Sequence, residues 1–426
     1  MTSRFRIAPN LALDEKVARL RAAGTAVVHL GFGESRLPLP AEVRDLLVAG
    51  TDRRGYGAVA GAEDARAAVA GYFTRRGLPT DPDRIVLAPG SKPLLMALTA
   101  VIDGDVVLPD PSWLTYAPQA RLFGRRVRPV AIPAEHGGVP DPDLLAETLR
   151  AARRADSAPR LLVLTLPDNP TGTLAPPELV RRVCAVAERE DLLIVSDEIY
   201  RDLPHRPQEP FLSPAEILPD RTVVTTGLSK SLALGGWRIG AARFPAGAVG
   251  DRLRDGVLAV ASEVWSTMPG PMQEVAAGVF AEPPVIVRHL RDSARLHATV
   301  TAAMHRIVTD AGAHCRTPGG GFYLYPDFEP ARAVLATRGV RDGGALQDHL
   351  LEEHGVAVLA GHHFGDAPEA LRFRIATSLL SGETDEERWA ALRADDPLRL
   401  PHVAVVLDRL AEAFQRLVHR PSRHAQ

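Results

Sequence analysis

Short, nearly unbroken apolar runs alternate with helical stretches through most of this chain from residue 40 onward. Such runs are typical of strands buried on both faces, so the alternation predicts an α/β fold with a mainly parallel sheet covered by helices on both sides. Ligands of such sheets bind at the carboxyl ends of the strands, and functional residues should therefore directly follow the runs. The predicted strands are Ile85–Ala88, Val106–Pro109, Val127–Ile132, Leu161–Thr165, Leu192–Ser196, Thr222–Thr226 and Ile239–Ala242, and the clearest helices are Ser91–Ile102, Pro142–Arg153 and Pro177–Glu190.

Lysine is rare in this chain: of its 50 basic residues, only Lys16, Lys92 and Lys230 are lysines. A chain that uses arginine for surface charge keeps lysine mainly where a primary amine is needed, because guanidinium stays protonated and cannot act as an amine nucleophile. Lys230 follows the predicted strand Thr222–Thr226 by four residues and stands beside Ser229. It is either an ordinary surface residue or a Schiff-base lysine, and its position favours the second interpretation. A glycine turn would bring Arg238 back toward an anion shared with Ser229.

The composition excludes several classes of function. With a formal net charge of -2 and with arginine interspersed among acidic residues, the chain has no basic stripe, so nucleic acid is not an expected partner. Cys184 and Cys315 are too few for a disulfide framework or a cysteine metal site. No segment approaches the length of a membrane span, and residues 1–10 contain no apolar signal region, so we expect no membrane partner. These features predict a globular protein of the reducing cytoplasm.

A candidate anion site follows the predicted strand Ile85–Ala88. Gly90, Ser91 and Lys92 open a helix there, so free backbone N–H groups and the positive end of the helix dipole would face a bound anion. A plain turn with Ser91 as N-cap is an equally good interpretation of these residues alone. Trp113 follows the next strand and places a flat side chain at the sheet edge, although an isolated tryptophan is more often part of a core.

Two polar residues follow the next strands in the same way. Asn169 lies in a turn-rich segment after Leu161–Thr165, which fixes its amide beside the strand end. Asp197 ends a buried apolar strand, where an unpaired carboxylate would be costly, so we expect a cationic partner for it. No lysine or arginine of the surrounding stretch obviously supplies that charge, whereas a protonated pyridine nitrogen would.

In their order along the chain, these motifs resemble those of the class I/II, fold-type I pyridoxal-phosphate aminotransferases, from about Leu30 to Ser378. Each motif alone is weak evidence for the family, whereas all of them in the family's order are strong evidence. The resemblance implies pyridoxal 5'-phosphate as cofactor, a mainly parallel seven-stranded sheet in a large domain with a smaller α/β domain, and ping-pong transfer of an amino group from an α-amino acid to a 2-oxo acid. The matching segments are Leu30-Gly31-x-Gly33-Glu34, Tyr56 with Gly61, Gly90-Ser91-Lys92, Trp113, Asn169-Pro170-Thr171-Gly172, Asp197-Glu198-x-Tyr200, Ser229-Lys230, Gly236-Trp237-Arg238-Ile239-Gly240, Gly321-Phe322-Tyr323, and Arg372 before Ala376-Thr377-Ser378.

The resemblance also implies a role for each matching residue. Lys230 would attach the cofactor and then carry a proton between the substrate α-carbon and the cofactor, while Asp197 would keep the pyridine nitrogen protonated. Tyr200, the third catalytic candidate, would hydrogen-bond the ring oxygen together with Asn169. Arg372 would clamp the substrate α-carboxylate, and its neighbours there would be Gly33 and Asn169. The remaining cofactor contacts would come from Gly90, Ser91, Lys92, Trp113, Ser229, Arg238 and, from the second subunit of a homodimer, Tyr56.

Two segments depart from the family pattern. Gly227 stands where the family usually has serine or threonine, so one phosphate hydrogen bond is missing or comes from Thr226. Near the expected substrate entrance, where the family often has Pro-Gly-x-x-Phe-Gly, this chain has Ala360-Gly361-His362-His363-Phe364-Gly365. The histidine pair is either part of a solvated loop, a contact to an uncommon substrate or an extra acid or base. Nothing nearby supplies further ligands for a metal ion.

We expect a large domain and a small domain with the site between them, at a dimer interface. Residues 1–39 form an arm that joins the small domain, residues 40–282 form the large cofactor domain, and residues 283–426 complete the small domain. A hinge is indicated by Pro283-Pro284. The small domain should include a helix at Asp14–Ala23, a strand at Ala26–Leu30, a helix at Leu346–Glu353, a strand at Leu371–Ile375 and a final helix at His402–Val418.

Other functions remain open on the same scaffold. The fold determines which cofactor is bound, but it does not determine which bond of the substrate is broken. A β- or γ-lyase, a cyclase, a decarboxylase or an oxidase is therefore an alternative to the aminotransferase. A transcription regulator with an aminotransferase-like domain needs a DNA-binding domain ahead of the fold, and only about thirty residues precede Gly31. No motif places a second arginine for an acidic side chain, so the sequence does not favour aspartate as the substrate.

Overall fold

The main sheet of the computed structural model has seven strands in the order β2-β8-β7-β6-β5-β3-β4. The structure describes residues 7–133, 135, 137–155 and 157–419. Only β8 runs antiparallel to its two neighbours, and the other four pairs of the sheet are parallel, so the predicted mainly parallel seven-stranded sheet is confirmed. The strands are β1 Val28–His29, β2 Ile85–Pro89, β3 Asp105–Asp110, β4 Val127–Ala131, β5 Pro159–Thr165, β6 Leu193–Asp197, β7 Thr222–Gly227, β8 Ile239–Arg243, β9 Tyr323–Leu324, β10 Val356–Ala357, β11 Leu359–Ala360 and β12 Phe373–Ala376.

Helices connect the parallel strands and cover both faces of the sheet, as parallel pairing requires. In the described part of the chain, none is long and apolar enough to cross a membrane. The helices are α1 Pro9–Ala22, α2 Ala41–Ala49, α3 Glu63–Arg75, α4 Ser91–Val101, α5 Tyr116–Leu122, α6 Pro142–Arg154, α7 Pro177–Arg189, α8 Pro214–Ile217, α9 Leu228–Ser231, α10 Gly247–Val264, α11 Gly270–Phe280, α12 Pro284–Asp310, α13 Arg332–Ala336, α14 Gly343–His354, α15 Asp385–Arg393 and α16 Pro401–Val418. Short 3-10 turns include Gly235–Trp237 and Gly361–Phe364.

The predicted elements agree with this structure to within a few residues, and the largest difference is at the N-terminus. Helix α1 begins at Pro9 and not at Asp14, because proline fits the first helical position without losing a hydrogen bond. The predicted strand at Ala26–Leu30 shortens to β1, and the strand predicted at Leu371–Ile375 is shifted to β12. The earlier start of α1 matters for the site, since it places Asn10 and Leu11 beside the cavity described below.

The register of the central strands aligns three polar residues at one edge of the sheet. Thr165 of β5 is opposite Asp197 of β6, and Asp197 is in turn opposite Thr225 of β7. Because these strands are parallel, the residues that follow them leave the sheet on the same side. The segments that carry Asn169, Tyr200 and Lys230 therefore all begin at the carboxyl-end edge of the main sheet.

Two smaller sheets lie outside the main sheet: β1 pairs with β10 in parallel, and β11, β12 and β9 form an antiparallel sheet. Val28 and Leu30 from the N-terminal segment pack in the same apolar cluster as Phe373, Val403 and other residues of the second half of the chain. Helix α12 belongs to both regions, since Ile286 packs with the main-sheet cluster and later residues of this helix pack with Val28 and Leu30.

Candidate active site

A cavity of about 420 Å³ opens at the carboxyl ends of β5, β6 and β7. It collects side chains from separate segments of the chain, between the main sheet and the smaller antiparallel sheet. Most of the residues predicted from the motifs line it, as the strand-end rule requires. The lining consists of Asn10, Leu11, Phe32, Gly33, Glu34, Ser91, Lys92, Trp113, Tyr116, Thr165, Asn169, Asp197, Ile199, Tyr200, Ser229, Lys230, Gly235, Arg238, Tyr323 and Arg374.

Lys230 lies in the short helix α9 directly after β7 and extends its amine into the cavity. Its Nζ donates a hydrogen bond of 2.5 Å to the backbone oxygen of Gly33. No carboxylate forms an ion pair with this amine in the described part of the chain. The amine is therefore held at the cavity wall by a single neutral acceptor, which leaves it available to react.

Asp197 is 3% exposed and occupies the floor of the cavity. Its carboxylate accepts hydrogen bonds from the hydroxyls of Tyr116 at 2.9 Å and Thr225 at 3.1 Å, and no lysine or arginine of the described residues pairs with it. Burial raises the pKa of Asp197 to about 6, and the two hydroxyl donors only partly oppose this rise. The carboxylate is thus the buried, uncompensated charge that the sequence predicted.

Asn169 and Tyr200 lie side by side above this floor. The Asn169 amide donates from Nδ2 to the Tyr200 hydroxyl at 3.3 Å, and its Oδ1 accepts from Nη1 of Arg374 at 3.1 Å. The Tyr200 hydroxyl also lies 2.9 Å from that of Tyr323. Two hydroxyls and one amide therefore face the same part of the cavity as the carboxylate of Asp197.

The predicted anion site is assembled at the start of α4. Gly90 precedes this helix with φ +88°, and a β-carbon on Gly90 would lie 2.2 Å from Nη2 of Arg238. Arg238 itself has left-handed backbone geometry, with φ 57°, so the turn after Gly235–Trp237 returns its guanidinium to the helix start. Burial lowers the pKa of Arg238, because a partly buried guanidinium is poorly solvated. Ser91 and Ser229 line the same end.

Lys92 and Trp113 form the adjoining wall. Lys92 Nζ lies 5.3 Å from the centre of the Trp113 ring, within reach of a cation–π contact. Burial lowers the pKa of Lys92, and the neighbouring charges of Arg238 and Lys230 lower it further. Trp113 packs edge-on against Tyr116, with ring centres 5.1 Å apart, which fixes one flat face at the cavity.

Arg372 does not reach the cavity, and the prediction that places it there is wrong. It pairs with Asp327 at 2.8 Å and Asp366 at 3.1 Å, and its side chain is 43% exposed. Arg374, two residues later, is 2% exposed and lines the cavity. Its guanidinium is held by Asn169 and by the backbone oxygen of Gly31 at 2.9 Å, while its Nε is buried without an acceptor in the described residues.

Three further features singled out from the sequence do not line this cavity: Tyr56, Gly227 and the pair His362 and His363. Tyr56 is 93% exposed on the surface of the single chain and does not line the cavity. A β-carbon at Gly227 would lie 2.6 Å from the backbone oxygen of Ile239, so close pairing of β7 with β8 favours glycine there. His362 and His363 line a separate cavity of about 400 Å³ on the far side of Trp113, where burial lowers the pKa of His363 to about 4.

Several cavity residues were not assigned a role from the sequence, among them Tyr116, Thr165, Tyr323 and Arg374. Tyr323 belongs to a motif that was recognised without a role for this residue. Arg374 lies two residues from Arg372, to which the sequence analysis assigned the carboxylate clamp. Tyr116 gave no signal, because nothing local shows that the first residue of α5 reaches Asp197 across the sheet.

The site defines a class of protein. A free lysine amine, a buried carboxylate without a cationic partner, and an arginine against a glycine-preceded helix start fit the aldehyde, the ring nitrogen and the phosphate of pyridoxal phosphate. The observation that tests this fit is the buried charge of Asp197, which a protonated ring nitrogen would neutralise. Fold and site together are those of a fold-type I pyridoxal-phosphate enzyme.

The comparisons with known proteins agree. The family model for aminotransferase class I and II matches residues 25–387. The chain is 30% identical over 387 residues to the aspartate aminotransferase of Geobacillus stearothermophilus, covering 89% of this chain and 94% of that protein. It is also 30% identical over 397 residues to the aspartate/prephenate aminotransferase of Thermus thermophilus, covering 89% and 94%. A solved structure of the aspartate aminotransferase from Thermus thermophilus with maleate has a TM-score of 0.79 at 26% identity, covering 97% of both chains.

The chain belongs to the class I and II aminotransferase family. It is a pyridoxal-phosphate-dependent aminotransferase that acts on amino acids and oxo acids. The predicted family, fold type, cofactor and type of reaction are confirmed.

Proposed function

We propose that Lys230, Asp197 and Arg374 carry the transfer of an amino group from an α-amino acid to a 2-oxo acid in this enzyme. The observation that supports this assignment is that these three side chains line one cavity, with the arginine in the position first predicted for Arg372. Pyridoxal phosphate supplies the electron-poor ring that stabilises negative charge at the substrate α-carbon. The protein's own residues then determine where the substrate lies and where the proton goes.

Arg374 binds the substrate α-carboxylate. Its guanidinium lies between the ring of Tyr323, at 4.7 Å, and the ring of Phe364, at 4.9 Å, and is held in its plane by Asn169 and Gly31. The buried Nε has no acceptor in the described residues, and a carboxylate is the ligand that would satisfy it. A fixed, partly desolvated fork of this kind selects a planar anion.

Lys230 holds and moves the proton. With pyridoxal phosphate in the cavity, the amine of Lys230 would hold the cofactor and would serve as the base and acid that moves the substrate α-proton. Its present acceptor, the backbone oxygen of Gly33, holds the amine beside the path of that transfer. Asp197 would hold a protonated ring nitrogen of the cofactor, and Asn169 and Tyr200 would hold its ring oxygen.

We propose a homodimer in which Tyr56 reaches the phosphate of the neighbouring subunit. Its side chain is 93% exposed in the single chain, on a segment close to Thr267 and Gln273, and a second subunit would cover it. The division into residues 1–39 with 283–426 and residues 40–282 is likewise a proposal, supported by the separate apolar cores around Val28 and around the main sheet. We also propose a cytoplasmic location, supported by the two free cysteines.

The test is the separated half-reaction. Purified enzyme is mixed with single amino acids while the absorbance of the cofactor is followed, and 2-oxo acids are then added. We expect the pyridoxamine form to accumulate with a suitable amino donor and to return on addition of an acceptor. Loss of carbon dioxide, ammonia or a β-substituent without the pyridoxamine form would instead show one of the alternative reactions on this scaffold.

A further inference from the structure

Tyr323 connects the two ends of the cavity. Its hydroxyl lies 2.9 Å from that of Tyr200, and the face of its ring lies 4.7 Å from the guanidinium carbon of Arg374. Arg374 and Tyr200 are also joined through the amide of Asn169. These four side chains therefore form a closed ring of contacts, in which Tyr323 is the member without an assigned role.

The position of Tyr323 is fixed from several sides. It is 1% exposed and pairs in β9 with Ala376 of β12, the strand that carries Arg374. A β-carbon on Gly33 would lie 2.0 Å from the Tyr323 hydroxyl oxygen, and a β-carbon on Gly172 would lie 2.0 Å from its backbone oxygen. Both glycines allow close approach of segments outside this strand, so neither end of Tyr323 can move far.

The hydrogen bonds fix the orientation of the Asn169 amide. Arg374 is a pure donor, so the oxygen of the Asn169 amide faces it and the Asn169 nitrogen donates to Tyr200. Tyr200 is the one hydrogen-bond partner that the described residues provide for the Tyr323 hydroxyl. If Tyr323 donates as well, Tyr200 accepts twice and its own proton is free to point into the cavity. Burial raises the pKa of Tyr200 well above its usual range, so it keeps that proton at neutral pH.

We propose that Tyr323 is a positioning residue that strengthens the hydrogen bond from Tyr200 to the ring oxygen of the cofactor and holds Arg374 flat for the substrate carboxylate. The inference rests on the function proposed above. Donation from Tyr323 polarises the Tyr200 hydroxyl and makes it a stronger donor. A stronger donor at the ring oxygen competes with the proton that this oxygen shares with the cofactor–lysine linkage, and so lowers the pKa of the linkage.

Replacing the tyrosine by phenylalanine separates the two effects. Tyr323→Phe removes the hydroxyl and keeps the ring against Arg374. We expect the pKa of the enzyme-bound cofactor, titrated by its absorbance without substrate, to rise by about 0.5 to 1 unit, since one neutral hydrogen bond is lost. The KM for the amino donor should stay within about twofold, because the arginine keeps its packing.

Phe364→Leu is the matched control, since it removes the other ring that packs on Arg374 and touches neither hydroxyl. It should raise the KM for the amino donor several-fold and leave the cofactor pKa unchanged. The double variant Tyr200→Phe/Tyr323→Phe tests the route: if Tyr323 acts through Tyr200, its cofactor pKa should equal that of Tyr200→Phe alone.

A pKa unchanged in Tyr323→Phe, or a shift that adds fully to that of Tyr200→Phe, would overturn the proposal. Incorporating 3-fluorotyrosine at position 323 gives a second test that does not depend on the folding of the phenylalanine variant. A more acidic phenol donates more strongly and should lower the pKa of the bound cofactor. These titrations need only the attached cofactor, so they can fail while the half-reaction succeeds, and a failure of the proposed function appears separately in the half-reaction.

Discussion

Arg374 donates a hydrogen bond of 3.1 Å to the side-chain oxygen of Asn169, and this contact joins β12 to the turn after β5. The consequence is that the amide nitrogen of Asn169 must face Tyr200. A carboxylate bound by Arg374 would therefore be linked through the Asn169 amide to Tyr200, which faces the cofactor ring. The carboxylate end and the ring end of the cavity form one network.

Arg374→Lys should lower kcat/KM for amino acids by about 10- to 150-fold, because the loss of a charged, planar hydrogen bond costs about 1.5 to 3 kcal/mol. The measurement is steady-state kinetics with one amino donor and one 2-oxo acid. Arg372→Lys is the matched control from the same segment, and it should change kcat/KM less than about threefold, since its pairs with Asp327 and Asp366 are partly exposed. The opposite ranking would restore Arg372 as the clamp.

Asp197→Asn should have opposite effects on the protein with and without cofactor. The folded-state pKa of Asp197, about 6, is above the usual value for aspartate, so ionisation destabilises the cofactor-free fold as the pH rises from about 4 to 6. At pH 8 the cofactor-free Asp197→Asn variant should therefore be more stable than the parent by about 1 to 3 kcal/mol. Chemical denaturation at pH 4 and pH 8 measures this difference, which should disappear at the lower pH.

With the cofactor bound, the same substitution should weaken cofactor binding and slow α-proton removal by several orders of magnitude, because a neutral amide no longer keeps the ring nitrogen protonated. Exchange of the substrate α-proton with solvent measures that step. Turnover at the parental rate would remove Asp197 from the mechanism.

Gly90→Ala should weaken cofactor binding by about tenfold or more. The new β-carbon would meet Nη2 of Arg238 at 2.2 Å, and a backbone with φ 88° and ψ 165° costs a non-glycine residue about 1 to 3 kcal/mol. Fluorescence titration of the cofactor-free protein gives the dissociation constant. Gly236→Ala is a suitable control, since a β-carbon there meets no atom within 4 Å and should leave binding unchanged.

Borohydride treatment of the enzyme should attach the cofactor to Lys230 and not to Lys92, as peptide mass spectrometry can show. Lys230 is the lysine that stands beside Gly33, whereas Lys92 lies over Trp113 on the adjoining wall. Lys92→Arg should keep turnover within about tenfold, since it keeps the charge near the anion site. Abolished turnover with cofactor still attached would give Lys92 a direct role.

Mixing subunits that each lack one site residue tests the placement of Tyr56. If Tyr56 serves the neighbouring subunit, a hybrid of Lys230→Ala and Tyr56→Phe chains contains one site with both native residues. Cofactor affinity and activity should then recover in the hybrid toward half of the parental level. If the residue acts within its own chain, no hybrid site is complete and mixing should give no recovery.

The order of elements and most of the site could be predicted because both depend on local pattern. A parallel strand buried on both faces is a short apolar run, and a parallel sheet exposes the residues that follow its strands at one edge. Lys230, Asp197 and Asn169 were found in this way. The bias toward arginine identified the lysine independently, since a primary amine has chemistry that guanidinium lacks.

What the sequence by itself determined, then, is the α/β architecture, the cofactor and the residues at the strand ends. Only the tertiary structure decided between Arg372 and Arg374, because residues two positions apart on a strand share a face and differ only in what lies opposite. Opposite Arg372 stand two carboxylates, and opposite Arg374 stand Asn169 and an open cavity. The roles of Tyr116 and Tyr323 were decided in the same way, since contacts between residues far apart in the chain depend on the register and packing of whole elements, which no local pattern records.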